Sequence, residues 1–283
     1  MPKMPIYPAI AVELPPSARE EVSSLLFSLG ARGIEERDAE TFEKAPEGLI
    51  TLVAHFDEED RARIAAMLLP YPARWAPVIG DEWKERWKEH FQPVRIGRLI
   101  IAPPWASFEA SELIPVIIDP GMAFGTGGHE STRLVLKILS SELHAGASVL
   151  DVGCGSGILS IAALKLGASK ALAIDIEREA LRATRLNAKR NGVHKQLRTI
   201  QLPLSRISGR FDWVLANIES RVLLSMATDL SQKVVPEGWL VLSGILATET
   251  KELEATYLSQ GLELVRCEKE GDWVAMLWRK PAF

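Results

Sequence analysis

Chemistry in this 283-residue chain concentrates near its middle, in Val149-Leu150-Asp151-Val152-Gly153-Cys154-Gly155-Ser156-Gly157. An apolar strand here runs into a glycine loop that opens a helix; three glycines let a ligand approach the backbone, and free amides at the helix start meet it. Eighteen residues after Gly157 a second apolar run ends in Ala173-Ile174-Asp175, which places a carboxylate where a ribose diol would lie. A loop and an acid at this separation mark an adenosine site. Dinucleotide enzymes favour Gly-x-Gly-x-x-Gly, whose third glycine would fall at 158, but Ile158 stands there and the third glycine is Gly157.

A second glycine-rich run, from Asp119 to Arg133, packs four glycines into positions 121–128. It lacks the Gly-Lys-Ser/Thr ending of a phosphate loop. Such a segment can move: Phe124 or Met122 could close over a bound ligand, while Ser131 or Thr132 begins the next helix. His129 could relay a proton or simply hydrogen-bond the backbone. The only cysteines, Cys154 and Cys267, lie 113 positions apart without a Cys-x-x-Cys or a nearby His set, so no disulfide framework and no metal site is expected.

The elements that must position these residues divide the chain in two. Residues 1–78 read strand, helix, strand, strand, helix, strand, over Ile6-Glu13, Ser17-Leu29, Gly33-Arg37, Leu49-Phe56, Glu58-Leu69 and Ala73-Val78, which is the ferredoxin-like split βαβ plan. That α+β unit has no glycine loop and no clustered ionisable set, so it is built for recognition. Residues 79–92 form a linker helix with Trp83, Trp87 and Phe91 at four-residue spacing. In residues 93–283, strands and helices alternate from Val149 onward, which implies an α/β domain with a parallel sheet covered on both faces. Its last two strands, Leu262-Cys267 and Trp273-Trp278, are too close for a helical crossover and must pair antiparallel.

Composition excludes several classes. The longest run without a charge, Val152 to Leu164, has 13 residues, whereas a bilayer span takes about 20. With no export signal at Met1-Pro2-Lys3-Met4-Pro5, the expected location is cytoplasmic. The formal charge of −4 is unevenly spread: residues 1–80 carry 8 Lys/Arg against 13 Asp/Glu, and residues 177–210 carry 9 against 2. The acidic front suits a basic partner; the basic stretch could face a polyanion or water.

The Gly-x-Gly-x-Gly form, with Asp151 two residues ahead and a terminal antiparallel pair, resembles the class I S-adenosylmethionine methyltransferases, with their Rossmann-like seven-stranded sheet. The resemblance implies that Asp151 helps position the methionine end of the cofactor, that Gly153 and Gly155 pass beneath it, and that Asp175 holds the ribose hydroxyls. The run Asp119 to Arg133, together with Trp83 to Phe91, Ala216-Asn217-Ile218, Leu242-Ser243-Gly244-Ile245-Leu246 and Trp273-Val274, is similar to the PrmA family. That family methylates amino groups of the large-subunit ribosomal protein numbered eleven. The resemblance implies cofactor contacts at Thr132, Gly153, Asp175 and Asn217 and a substrate-recognition role for the front domain. Two stretches depart from it: the family more often has Gly-Thr-Gly-Thr-His-Pro-Thr-Thr at 125–132 and Asn-Ile-Leu-Ala at 217–220.

The expected chemistry is methyl transfer from S-adenosylmethionine to lysine or N-terminal amino groups, by a monomer that needs no metal. Asn217 ends the fourth strand, and its side-chain or backbone oxygen could accept a hydrogen from the incoming amine; Asn217 and His129 are the candidate catalytic residues. The Pro-Pro-aromatic clamp of enzymes that methylate planar nitrogens is missing after Asn217, which favours a tetrahedral amine. Glu219 could draw an ammonium in but would also hold it in its unreactive form. Two other readings stand beside this one, an RNA methyltransferase using the basic stretch 177–210 and a noncatalytic adaptor; RNA contact is not required by the first.

Overall fold

A computed structural model describes residues 6–31, 33–38, 45–46, 48–56, 71–75, 78–79, 92–108, 112–120 and 127–282. The chain divides into two compact units, Met1–His90 and Phe91–Phe283. The expected helix at 58–69 and residues 80–91 of the linker helix expected over 79–92 lie outside the described residues; of the linker's ends, Ile79 belongs to a strand and Gln92 is not helical.

In the first unit, β1 (Ile6–Tyr7), β2 (Ala9–Leu14), α1 (Arg19–Ser28), β3 (Gly33–Arg37), β4 (Ile50–His55), β5 (Ala73–Trp75) and β6 (Val78–Ile79) follow one another. The order β3-β4-β2-β5, with every neighbouring pair antiparallel, is the order of the split βαβ plan. Ile10, Val12 and Leu14 from β2 meet Val22 and Leu26 from α1 in its core. The single strand expected over Ile6-Glu13 is broken at Pro8: proline has no N–H for a ladder, and its carbonyl instead accepts from Phe56 N at 2.9 Å. The two residues before the break pair separately with β6.

The second unit opens with a small sheet that the pattern of apolar runs does not announce: β7 (Val94–Ile96), β8 (Leu99–Ala102) and β9 (Ile114–Ile117). Then come α2 (Glu130–Glu142), β10 (Ser148–Val152), α3 (Ile158–Lys165), β11 (Lys170–Ile174), α4 (Arg178–Arg190), β12 (Leu197–Ile200), β13 (Phe211–Asn217), α5 (Ser220–Ser225), α6 (Ala227–Lys233), β14 (Val234–Leu246), α7 (Thr250–Ser259), β15 (Glu263–Glu270) and β16 (Trp273–Arg279). The large sheet runs β12-β11-β10-β13-β14-β16-β15, parallel except for β16, which lies antiparallel between β14 and β15. This is the α/β, Rossmann-like seven-stranded architecture.

Covering both faces makes the central strands apolar throughout, so all five residues of β10 are buried. Helices α2, α3 and α4 supply one apolar layer and α5, α6 and α7 the other. In α4, Glu179 lies in the first turn and Lys189 and Arg190 in the last, as the helix dipole favours. The fifth strand of the sheet, expected over Trp239-Leu242, runs from Val234 to Leu246 because the chain pairs first at Phe211↔Val234. It then slips register before Trp213↔Trp239, with Glu237 at φ 60° absorbing the bend.

Candidate active site

The parallel strands point their carboxyl ends at one rim, where open α/β sheets bind ligands. The loop after β10 is tied to β11: Gly153 N and Cys154 N both donate to Ile174 O, at 2.9 and 3.1 Å. Asp175 completes the tie, one carboxylate oxygen accepting from Gly155 N at 3.0 Å and the other from Glu177 N at 3.0 Å. Behind the loop, α4 contributes two fully buried polar side chains. Thr184 Oγ1 donates to Gly155 O (2.9 Å) and Asn187 Nδ2 to Ser156 O (3.0 Å). Cys154 sits against Thr184, and burial pushes its thiol far above the usual range, so it is a spacer and not a nucleophile.

Asp151 lies one layer deeper, 1% exposed. Its Oδ2 accepts from Ser160 N (3.1 Å) and Ser160 Oγ (2.6 Å), while Oδ1 has no partner. Burial raises its pKa to about 6, although the Ser160 hydrogen bonds pull the other way. A buried carboxylate oxygen without a donor is costly by itself and becomes favourable once a cation reaches it.

The other side of the rim gathers residues distant in sequence. Asn217, the last residue of β13, donates its Nδ2 to Thr132 Oγ1 at 3.2 Å, and Thr132 is buried behind it. Because Thr132 takes the amide nitrogen, Oδ1 is the end of Asn217 available as an acceptor. Ile218 N donates to Ser243 O. A Cβ at Gly153 would lie 2.5 Å from Ile218 Cγ2, and one at Gly244, where φ is +79°, would lie 2.6 Å from Ile218 O. These two glycines therefore admit the strand end that carries Asn217.

Ser131 or Thr132 was the expected start of α2; the cap is His129 instead, whose Nδ1 accepts from Ser131 N (3.3 Å) and lies 2.8 Å from Ser131 Oγ. An imidazole nitrogen can accept the helix's orphan amide as a hydroxyl would. The ring packs edge-on against Trp273, with centroids 4.7 Å apart.

Between the two sides lies a cavity of about 990 Å³. His129, Gly153, Gly155, Asp175 and Asn217 line it, so the structure brings these five expected residues to the wall of one cavity, from its two sides. Asp151 and Thr132 stand behind that wall, and Phe124 lies outside the described residues. Ile176 and Leu202, which carry no motif, also line it, as does Trp273 of the Trp273-Val274 motif, which had no expected site role. Ile176 is 80% exposed, an isoleucine held in water directly after Asp175. The available signal was its place one residue beyond Asp175. Five carboxylates lie on the wall, Asp175, Glu177, Glu179, Glu219 and Asp229, and among the described residues no lysine or arginine does. Glu219 is exposed at this rim. Among the described residues no group of His, Cys, Asp and Glu could hold a metal.

A family profile described as "Ribosomal protein L11 methyltransferase (PrmA)" matches residues 7–281. A protein of Sorangium cellulosum named ribosomal protein L11 methyltransferase is 40% identical over 98% of this chain and 97% of its own. One from Geobacter sulfurreducens with the same name is 43% identical over 87% of this chain and 84% of its own. The crystal structure of a ribosomal protein L11 methylase from Lactobacillus delbrueckii subsp. bulgaricus superposes with a TM-score of 0.63 at 30% identity, covering 67% of this chain and all of that one.

Proposed function

This chain belongs to the ribosomal protein L11 methyltransferase (PrmA) family, and we propose that it transfers methyl groups from S-adenosylmethionine to lysine or N-terminal amino groups of ribosomal protein L11. The observation that carries this reading is the cavity: a tied glycine loop and five carboxylates on its wall, with no lysine or arginine there among the described residues, and an unpartnered Asp151 oxygen buried behind it. That wall fits a nucleoside bearing a cationic sulfonium and an ammonium, so the residues present fit the methyl donor. Asp175 would hold its ribose hydroxyls, Gly153 and Gly155 would pass beneath it, and Asp151 would face its ammonium. Ile176 and Leu202 offer apolar surface to its base, and Asn217 its outer edge.

Bound there, S-adenosylmethionine supplies a methyl group already activated on sulfur, with a neutral thioether as the leaving group. The protein's remaining work is alignment. The attacking amine must be neutral: at pH 7 a lysine of pKa about 10.4 costs about 4.6 kcal/mol to deprotonate, and an α-amino group near 7.8 about 1 kcal/mol. Asn217 Oδ1, turned outward by Thr132, accepts an N–H of the neutral amine and aims its lone pair at the methyl group. His129 stands at the same wall as the residue to carry the released proton toward water. Glu219 and Asp229 attract the protonated side chain to the rim, and desolvation beside the half-buried Ile218 favours losing the proton.

The acidic wall disfavours RNA as substrate, because a polyanion would meet five carboxylates there. Residues 1–80, with their excess of acids, are the unit suited to grip a basic protein. The test is to incubate the enzyme with methyl-labelled S-adenosylmethionine and isolated large-subunit components. Label in ribosomal protein L11 supports the reading; label confined to RNA, or none in either, defeats it.

A further inference from the structure

We propose that Arg133 is a positioning residue that fixes the His129 side of the cavity by clasping three segments with one guanidinium. Arg133 sits in the first turns of α2. Its Nη1 donates to Gly128 O, the carbonyl just before His129. Its Nε and Nη2 both donate to Glu270 Oε1, at 2.8 and 2.6 Å, and Nη2 also lies 3.4 Å from Glu130 Oε1. Glu270 ends β15 and pairs across the tight β15–β16 turn with Trp273, the ring on which His129 packs. The clasp therefore joins both things that orient His129: the backbone entering it and the indole beside it.

An ion pair this exposed, with side chains 25% and 43% accessible, adds little to stability. Its geometry does something else. A planar guanidinium with donors in a fixed fork can hold a carbonyl and a carboxylate at set angles, which an ammonium cannot, so lysine at this position would keep the charge and lose the alignment. Other links hold the surroundings: Ser243 Oγ reaches Ser131 O (3.0 Å) and Val274 O (3.1 Å), Ala247 N donates to Asp272 O in the turn (2.9 Å), and Lys137 pairs with Glu268 (2.7 Å); Arg133 adds the link from Gly128 O to Glu270. None of the hydrogen bonds from Ser243 touches Gly128 or the turn.

This inference rests on the methyl-transfer reading for its kinetic consequence, but its structural content can be read without turnover. The experiment compares wild type, Arg133→Lys and Glu270→Gln by three measurements: kcat and KM for methylation of ribosomal protein L11, thermal midpoint, and the NMR resonances of the His129 ring and Trp273 indole. In both variants kcat should fall about ten- to hundredfold with KM for the cofactor within about twofold, the midpoint should move by less than about 3 °C, and both sets of resonances should shift. Unmoved resonances, an unchanged kcat, or a loss of activity matched by a loss of folded protein would overturn the assignment. If the wild type does not methylate ribosomal protein L11, the functional reading fails, and the resonances alone decide the role of Arg133.

Discussion

The two walls of the cavity are built by different rules. The glycine-loop wall is nearly local: Asp151, Gly153, Gly155 and Asp175 fall within 25 residues, at the ends of two adjacent strands, and Asp175 ties the loop through hydrogen bonds spanning 20 and 2 positions. The opposite wall is assembled from afar, with Asn217 held by Thr132 across 85 positions and Arg133 by Glu270 across 137. A local wall is specified by a motif and suits the part of a ligand common to many enzymes. A wall made of distant contacts can be altered piece by piece, and it is where the acceptor amine must be placed.

Breaking the first wall should cost affinity and breaking the second should cost turnover. Asp175→Ala removes the acceptor of two backbone amides together with the proposed ribose partner, so S-adenosylmethionine affinity should fall about a hundredfold, about 2.7 kcal/mol, by calorimetry. Asn217→Ala should lower kcat by about thirtyfold while the dissociation constant changes less than threefold; equal losses in both would erase the distinction between the walls. Gly244→Ala forces a side chain into the left-handed region, worth about 1–2 kcal/mol, and against Ile218 O. It should lower the thermal midpoint and reduce kcat about tenfold with cofactor affinity retained.

Asp151 gives a pH signature on the first wall alone. Its pKa is raised to about 6 from the ordinary carboxylate value near 4, so the fold favours the neutral acid. Its contribution to the stability of the ligand-free protein is present below about pH 4 and is lost as pH rises through about 6. Binding of an ammonium needs the charged form, so cofactor affinity should move oppositely, weakening as pH falls from 7 to 5. Asp151→Asn should flatten both slopes in paired melting and calorimetric titrations. The smallest effect belongs to neither wall: Arg182→Ala with Lys189→Ala, on the outer face of α4, should leave methylation of ribosomal protein L11 within about twofold. A tenfold loss there would revive a role for a polyanion.

What was legible in the sequence follows the same division. The strands of the large sheet could be located because buried parallel strands are continuous apolar runs, and the five-residue gap between the last two left only an antiparallel hairpin; their order in the sheet could not be read from those runs. The loop glycines and Asp175 were legible because their spacing is fixed by one strand and one turn. Thr184 and Asn187 were not, since two polar residues on an arginine-rich helix look solvent-facing until the helix is docked and they prove fully buried. His129 as a helix cap was equally hidden, because hydroxyls at 131 and 132 are the commoner caps and the Trp273 ring that packs on the imidazole is distant in sequence. The short sheet β7-β8-β9 escaped notice because its strands have three or four residues, below the length at which alternation can be recognised.

The central claim is that the glycine-loop wall grips an adenosyl sulfonium through Asp175. A calorimetric titration of the wild type and Asp175→Ala with S-adenosylmethionine, its demethylated product and NADH tests it most directly. The wild type should bind the first two saturably and take up no NADH, and the variant should show a marked loss of binding. Binding of NADH in place of the sulfonium compound, or identical isotherms for the two proteins, would contradict it.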